Sequence, residues 1–127
     1  MIEYQLFEAG HCKHCERMTL KKGRWRQCEY PALCALIKHP TQGYILFDTG
    51  YSSRFYTLTQ KFPYSIYRRL TPVTLKKSLK EQLTEKNIRA SEIKSIVISH
   101  FHADHIGGLN DFPNAQFFCH AEAINDI

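Results

Sequence analysis

Three histidines and an aspartate fall within six residues, in the run His100-Phe101-His102-Ala103-Asp104-His105. Imidazole and carboxylate are the donors that hydrolytic zinc takes from a protein. Side chains at i and i+2 of an extended segment project to the same side, so His100 and His102 converge on one cation. Asp104 and His105 are adjacent and would diverge in an extended chain. They share a second cation only where the backbone turns, and a helix beginning near Asp104 beside Gly107-Gly108 supplies such a turn. Zinc lowers the pKa of its bound water to about 7, and two zincs roughly 3.5–4 Å apart share that hydroxide while polarising a substrate oxygen. The chemistry suits an ester, lactone, amide, thioester or phosphodiester. A histidine-rich surface loop is the plain alternative.

The elements that must hold these residues follow from pattern. The apolar run Ile96-Val97-Ile98 predicts a buried strand over Ser95–Ser99, so the histidines lie beyond a strand C-terminus, where α/β proteins place their sites. Upstream, Tyr4–Phe7 reads as a short strand. Gly10–Gln27 is polar, rich in Cys, His and Lys, and reads as a loop with a strand near Trp25. Ala32–Ile37 and Tyr44–Phe47 read as a hairpin across the Lys38–Gly43 turn. Tyr51–Arg69 is aromatic and basic, and Pro63 divides it into short helical pieces. Leu75, Leu79 and Leu83 recur every four residues and predict an amphipathic helix over Thr74–Lys86, ended by Asn87. Ala115–Cys119 reads as a strand and Ala121–Ile127 as the start of a helix. A hairpin followed by alternating helices and strands is an α/β design, a mixed sheet with covering helices.

Bulk properties narrow the class. The chain has 127 residues, 43% of them hydrophobic, which is one domain with a core of its own. Its formal charge is +5, but the basic residues are scattered and no nucleic-acid motif accompanies them. They read as a solvated surface, with no nucleic-acid partner. No apolar run spans a bilayer, and Met1-Ile2-Glu3-Tyr4 does not open a signal peptide, so the expected location is cytoplasmic. Five cysteines, an odd count, are expected as thiols rather than as a disulfide framework.

The run Ser99–Gly108 resembles the signature of the metallo-β-lactamase superfamily. Ile45-Leu46-Phe47-Asp48-Thr49-Gly50 resembles that family's second strand and its Asp-containing turn. Phe117–Glu122 resembles the strand and helix start after the metal loop. The likeness is closest to the lactonase-like metallo-hydrolases, in which a Cys/His-containing N-terminal loop precedes the hairpin. The resemblance implies that His100 and His102 bind a first zinc and that Asp104 and His105 bind a second. It makes Asp104 the holder of the bridging hydroxide and the proton acceptor, and Asp48 the residue that orients a ligand or the metal loop from behind. His120 matches a position that is not normally a ligand and reads as a surface histidine. The implied cofactor is zinc, two ions in the complete protein, although the same donors accept iron or manganese. The implied partner is a small-molecule substrate.

The family fold is an αβ/βα sandwich of two similar halves, about twice this length, and its remaining ligands come from the second half. The expectation is therefore a partial domain over residues 1–127, the N-terminal half of such a sandwich with the C-terminal half absent. Two histidines give an incomplete sphere, since catalytic zinc normally has three protein ligands. The chain in isolation is expected to bind metal weakly and turn over little, and its open sheet face to pair with the missing half or with a second copy.

Other readings remain beside this one. The chain could be a truncated or degenerate non-catalytic member that acts as a pairing module. Cys12-Lys13-His14-Cys15 has the spacing of a thiol redox centre, although Thr19–Arg26 is a poor helix former. Cys12, Cys15 and either His14 or Cys28 could make a structural zinc site, but a second Cys-x-x-Cys pair is missing. A loop whose thiols do no chemistry is the simplest account. Phe55–Tyr67 reads as packing or as an acyl-chain pocket. Substrate-binding residues and substrate identity are not legible.

Overall fold

A computed structural model describes residues 1–125 of the chain. Six strands form one mixed sheet in the order β4-β1-β2-β3-β5-β6. β1 (Glu3–Cys15), β2 (Gln27–His39) and β3 (Gly43–Phe47) make an antiparallel meander, and β4 (Val73–Thr74) adds an antiparallel edge to β1. β5 (Ile93–Ile98) and β6 (Gln116–Cys119) then run parallel to β3. The α/β mixed sheet expected from pattern is the observed architecture.

Alternation explains which face is covered. Ala32, Cys34 and Leu36 are buried at every second position of β2, as the period of a strand requires. Cys34 and Leu36 join Leu46 of β3 and Ile93, Ile96 and Ile98 of β5 in one cluster, and helix α4 (Leu79–Glu85) closes this layer with Leu79 and Leu83. Phe112, fully buried, fills the end beside the turn that follows the histidine loop. The opposite face carries a row that runs straight across five strands, Leu6–Ala35–Phe47–Val97–Phe118. Leu6, Phe47 and Phe118 are 60%, 41% and 50% exposed. One face of the sheet is a finished core and the other is an apolar surface facing outward.

Three expectations shift. β1 runs on to Cys15, because the polar stretch after Gly10 pairs through its backbone with 27–31, from Pro31 to Gln27. The region read as a loop is thus mostly hairpin, and only its tip is irregular. The helix expected from Thr74 begins after Ser78. Val73 and Thr74 are held by β1 instead, and Leu75 packs against the second cluster of Ala32, Tyr51 and Phe55. The C-terminal helix expected over Ala121–Ile127 is α6 (Ala121–Asn125), and its last two positions lie outside the described residues.

Ser78 starts α4 with a reciprocal cap. The Glu81 N–H donates to Ser78 Oγ at 3.3 Å, and Glu81 Oε2 accepts from the Ser78 N–H at 2.7 Å and from Ser78 Oγ at 2.9 Å. The Ser78 N–H bond is the main reason the Glu81 carboxyl sits below its usual range. A carboxylate lowered in the folded state adds stability above its unfolded pKa and loses it as pH falls through the folded value. Ser78→Ala keeps the N–H but removes both Oγ bonds, and should cost about 1 kcal/mol in urea melts at neutral pH. The gap from wild type should narrow as the pH is lowered through the carboxylate range.

Candidate metal centre

The strand β5 ends at Ile98, and the chain turns through Ser99–His102 into the single helical turn α5 (Ala103–Ile106). This turn separates the directions of Asp104 and His105 from those of an extended chain. The rings of His100 and His102 lie 4.7 Å apart, centre to centre, and those of His100 and His105 lie 3.9 Å apart. His105 Nε2 is 3.0 Å from Asp104 Oδ2. The structure thus gathers His100, His102, Asp104 and His105 at one place. His120 stands apart, exposed, with Glu122 3.7 Å away.

Behind the cluster is one buried carboxylate. Asp48, only 2% exposed, follows β3 with a left-handed backbone (φ 59°). Its Oδ1 accepts the Ser99 N–H at 2.8 Å, and its Oδ2 accepts the Ser99 hydroxyl at 2.7 Å. Oδ2 also lies 2.7 Å from His105 Nδ1. A carboxylate only accepts, so His105 carries a proton on Nδ1, and its Nε2 lies toward Asp104. Since the Ser99 hydroxyl is spent on Asp48, its oxygen accepts from His100 Nδ1 at 3.0 Å. His100 is fixed in the same tautomer. Burial, followed by the neighbouring His105 and His102, holds the His100 imidazole below its ordinary pKa, so it stays neutral and able to donate a lone pair.

Backbone contacts fix the loop itself. The Thr49 N–H and Thr49 Oγ1 both donate to the His105 carbonyl, at 2.8 and 2.9 Å, and Thr49 Oγ1 accepts from the Gly108 N–H at 3.1 Å. Ser52 Oγ donates to the Gly107 carbonyl at 2.7 Å. Gly107 and Gly108 serve a purpose other than the expected tight turn, since neither has a positive φ. A Cβ on Gly107 would stand 2.7 Å from the carbonyl oxygens of Ala103 and Gly50, and one on Gly108 would stand 2.9 Å from that of Thr49. Glycine is needed here so that two backbones can touch.

Sequence reasoning missed Thr49, Ser52 and Ser99. Of these, Ser99 at a strand end directly before the first histidine carried the only local signal. It also missed Tyr51, whose buried ring packs with Cys12 and Ala103 beside the loop. Burial raises the Cys12 thiol and pushes the Cys34 thiol up to about 12, with Asp48 and Asp104 adding to the rise at Cys34. All five cysteines are free thiols. Cys12 and Cys15 are three apart on a strand and so face opposite ways, which suits neither a dithiol centre nor a shared ion.

Residues 29–126 match the sequence model of the metallo-β-lactamase superfamily. The chain belongs to that superfamily. Probable metallo-hydrolases of Mycobacterium tuberculosis and Mycobacterium bovis are each 33% identical over 87 residues, covering 66% of this chain and 27% of theirs. An N-acyl homoserine lactone hydrolase, solved with N-hexanoyl-L-homoserine at its catalytic metal centre, superposes with a TM-score of 0.74 at 20% identity. The overlap covers 90% of this chain and 46% of that one. A dizinc quorum-quenching lactonase, AidC, gives 0.64 at 21% identity, over 98% of this chain and 43% of its own. A probable metal-dependent hydrolase from Staphylococcus aureus gives 0.69 at 18% identity, over 98% and 49%. At these identities the structural likeness is one of fold. This superfamily member spans about a quarter of its curated relatives and just under half of the solved chains.

Imidazole and carboxylate are the donors a hydrolytic metal such as zinc takes, and here His105 Nε2 and Asp104 Oδ2 stand side by side at 3.0 Å. The sphere is nevertheless open. Among the described residues, no three His, Cys, Asp or Glu side chains are grouped so as to hold an ion. His105 lies against both Asp104 and His100.

Thr49→Val keeps the shape of a fully buried side chain but strands the Gly108 N–H. Chemical denaturation should show a loss of about 1–3 kcal/mol. Gly107→Ala should cost a similar amount, since adding a methyl group to a filled site typically costs about 1–3 kcal/mol.

Proposed function

We propose that the chain carries the first half of a metal-dependent hydrolase site that cleaves an ester or lactone bond. The observation that carries the reading is the Asp48–Ser99 relay, which engages Nδ1 of both His100 and His105 and so leaves Nε2 of each as the atom that would meet a metal. A structural histidine cluster has no need of matched tautomers, but a ligand set does. His100, His102, Asp104 and His105 would hold the metal. Zinc bound here supplies water with a pKa near 7 and polarises the substrate carbonyl.

The chain's own residues do the rest. Asp48 and Ser99 hold the Nδ1 protons of His105 and His100, so neither ring can flip. Thr49 and Ser52 keep the loop seated while charge changes beside it. Asp104 Oδ2 faces His105, which leaves Oδ1 to accept a proton from the attacking water. The fold shared with lactone hydrolases supports a small cyclic or linear ester as substrate.

The apolar row Leu6–Ala35–Phe47–Val97–Phe118 supports a second element of the reading. The site is completed when another layer covers this face and adds ligands. Without that layer the expectation is loose metal binding and little turnover.

Zinc titration by calorimetry, with elemental analysis of the dialysed protein, tests the assignment. His102→Ala and Asp104→Ala should abolish metal loading, whereas Ser99→Ala should weaken it about 10–100-fold and, by removing a donor from buried Asp48, cost about 1–3 kcal/mol of stability. Undiminished zinc binding in His102→Ala or Asp104→Ala would overturn the ligand set. A panel of lactones, esters and β-lactams on the protein paired with its covering layer tests the reaction class.

A further inference from the structure

The β1–β2 hairpin ends in a tip that buries no hydrophobic side chain. It runs from Glu16 to Arg26 and contains the four-residue helix α1 (Glu16–Thr19), which has no buried residue. The tip is nonetheless built to hold its shape. The Glu16 carboxylate accepts the Arg24 N–H at 3.1 Å and two bonds from the Arg26 guanidinium, at 2.9 and 3.1 Å. The same Arg26 contact holds the Glu16 carboxyl below its usual range. On this frame Met18, Leu20 and Trp25 are 65%, 55% and 81% exposed.

The tip is also strongly cationic. Residues 16–26 hold five Lys/Arg and one Glu. That Glu is taken by Arg26, and among the described residues the side chains of Lys21, Lys22 and Arg24 have no acidic partner. A second segment repeats the character. α2 (Arg54–Leu58) and α3 (Tyr64–Leu70), with the turn between them, hold four Lys/Arg and no acidic residue. There Leu58, Phe62, Ile66 and Leu70 are 73%, 79%, 51% and 63% exposed.

The topology brings the two segments to one end of the molecule. α3 leads into Pro72, whose carbonyl accepts the Lys13 N–H at 2.9 Å, near the base of the tip. β3 and β5 finish opposite Ala35, and the β1–β2 hairpin runs on past them in the same direction to the Cys15–Gln27 pair. The basic, apolar tip therefore projects beyond the end of the sheet that carries His100–His105.

Cations among exposed aliphatic and indole side chains match a bilayer interface. Lys and Arg meet anionic headgroups, Trp sits at headgroup depth, and Leu, Ile and Met enter the acyl boundary. A single-stranded nucleic acid would use the cations and the aromatic faces but leave the aliphatic side chains in water. We propose that this end of the protein docks reversibly on an anionic phospholipid surface, with Trp25 in the headgroup layer. The proposal stands independently of the hydrolase reading.

Trp25 is the only tryptophan in the chain, so its fluorescence reports the contact directly. The full chain is titrated with phosphatidylcholine vesicles and with vesicles containing roughly one-quarter phosphatidylserine. Emission should shift to the blue and resist acrylamide quenching only with the anionic vesicles, and the shift should reverse at high salt. The triple variant Lys21→Gln, Lys22→Gln, Arg24→Gln keeps the Glu16–Arg26 frame and should bind these vesicles roughly 100-fold more weakly. Its circular dichroism should match that of the wild type. Absence of a blue shift, or equal binding by the triple variant, overturns the proposal. So does tight binding of poly(U) or poly(dT) without vesicle binding. A Trp25 already shielded in a dimer of this chain, with no vesicles present, overturns it too.

Discussion

One buried carboxylate organises the histidine-bearing end of this protein. Asp48 takes a backbone amide, a hydroxyl and an imidazole, and those three groups belong to the end of β5 and to the loop that follows it. A charge buried to this depth is costly unless every lone pair finds a donor. The cost is what makes the contact specific. Asp48 cannot stay in place unless Ser99 and His105 come to it, so the strand end and the loop are positioned together. The left-handed backbone at Asp48 turns the carboxylate under the loop and leads into Thr49 and Ser52, whose hydroxyls hold the loop from the same side.

The sheet shows why such a site can be built by so few residues. β3 and β5 are parallel neighbours, so their C-terminal ends open at the same edge, and two short loops meet there without a long connection. The finished core below, with Leu46, Ile96, Leu79 and Leu83, holds both strand ends in fixed register. The face above carries Leu6, Phe47 and Phe118, which stay exposed. A finished core and an exposed apolar surface lie on opposite sides of one sheet.

Much of this was legible in the sequence, because some residue types announce their chemistry. Three imidazoles and a carboxylate beyond an apolar run need no partner to be noticed, and the hairpin and the buried strand follow from period-two patterning. What escaped depends on contacts between distant positions. Thr49 and Ser52 act on backbone groups more than fifty residues away, and nothing near them shows it. The long β1 was hidden because its polar half is stabilised by backbone pairing with β2 rather than by burial of its side chains. The late start of α4 was recoverable, since Ser78 and Glu81 form a capping box in plain view, but the Leu75–Leu79–Leu83 spacing suggested an earlier start.

The clamp on the histidine loop grips main chain: the carbonyls of His105 and Gly107 and the amide of Gly108. A grip of that kind is blind to whatever side chains project from residues 100–104. The scaffold can therefore change the side chains at 101–104, which make none of these bonds, without giving up the loop's path. Chemical diversity at this rim comes at little structural cost, because shape and reactivity are written in different atoms.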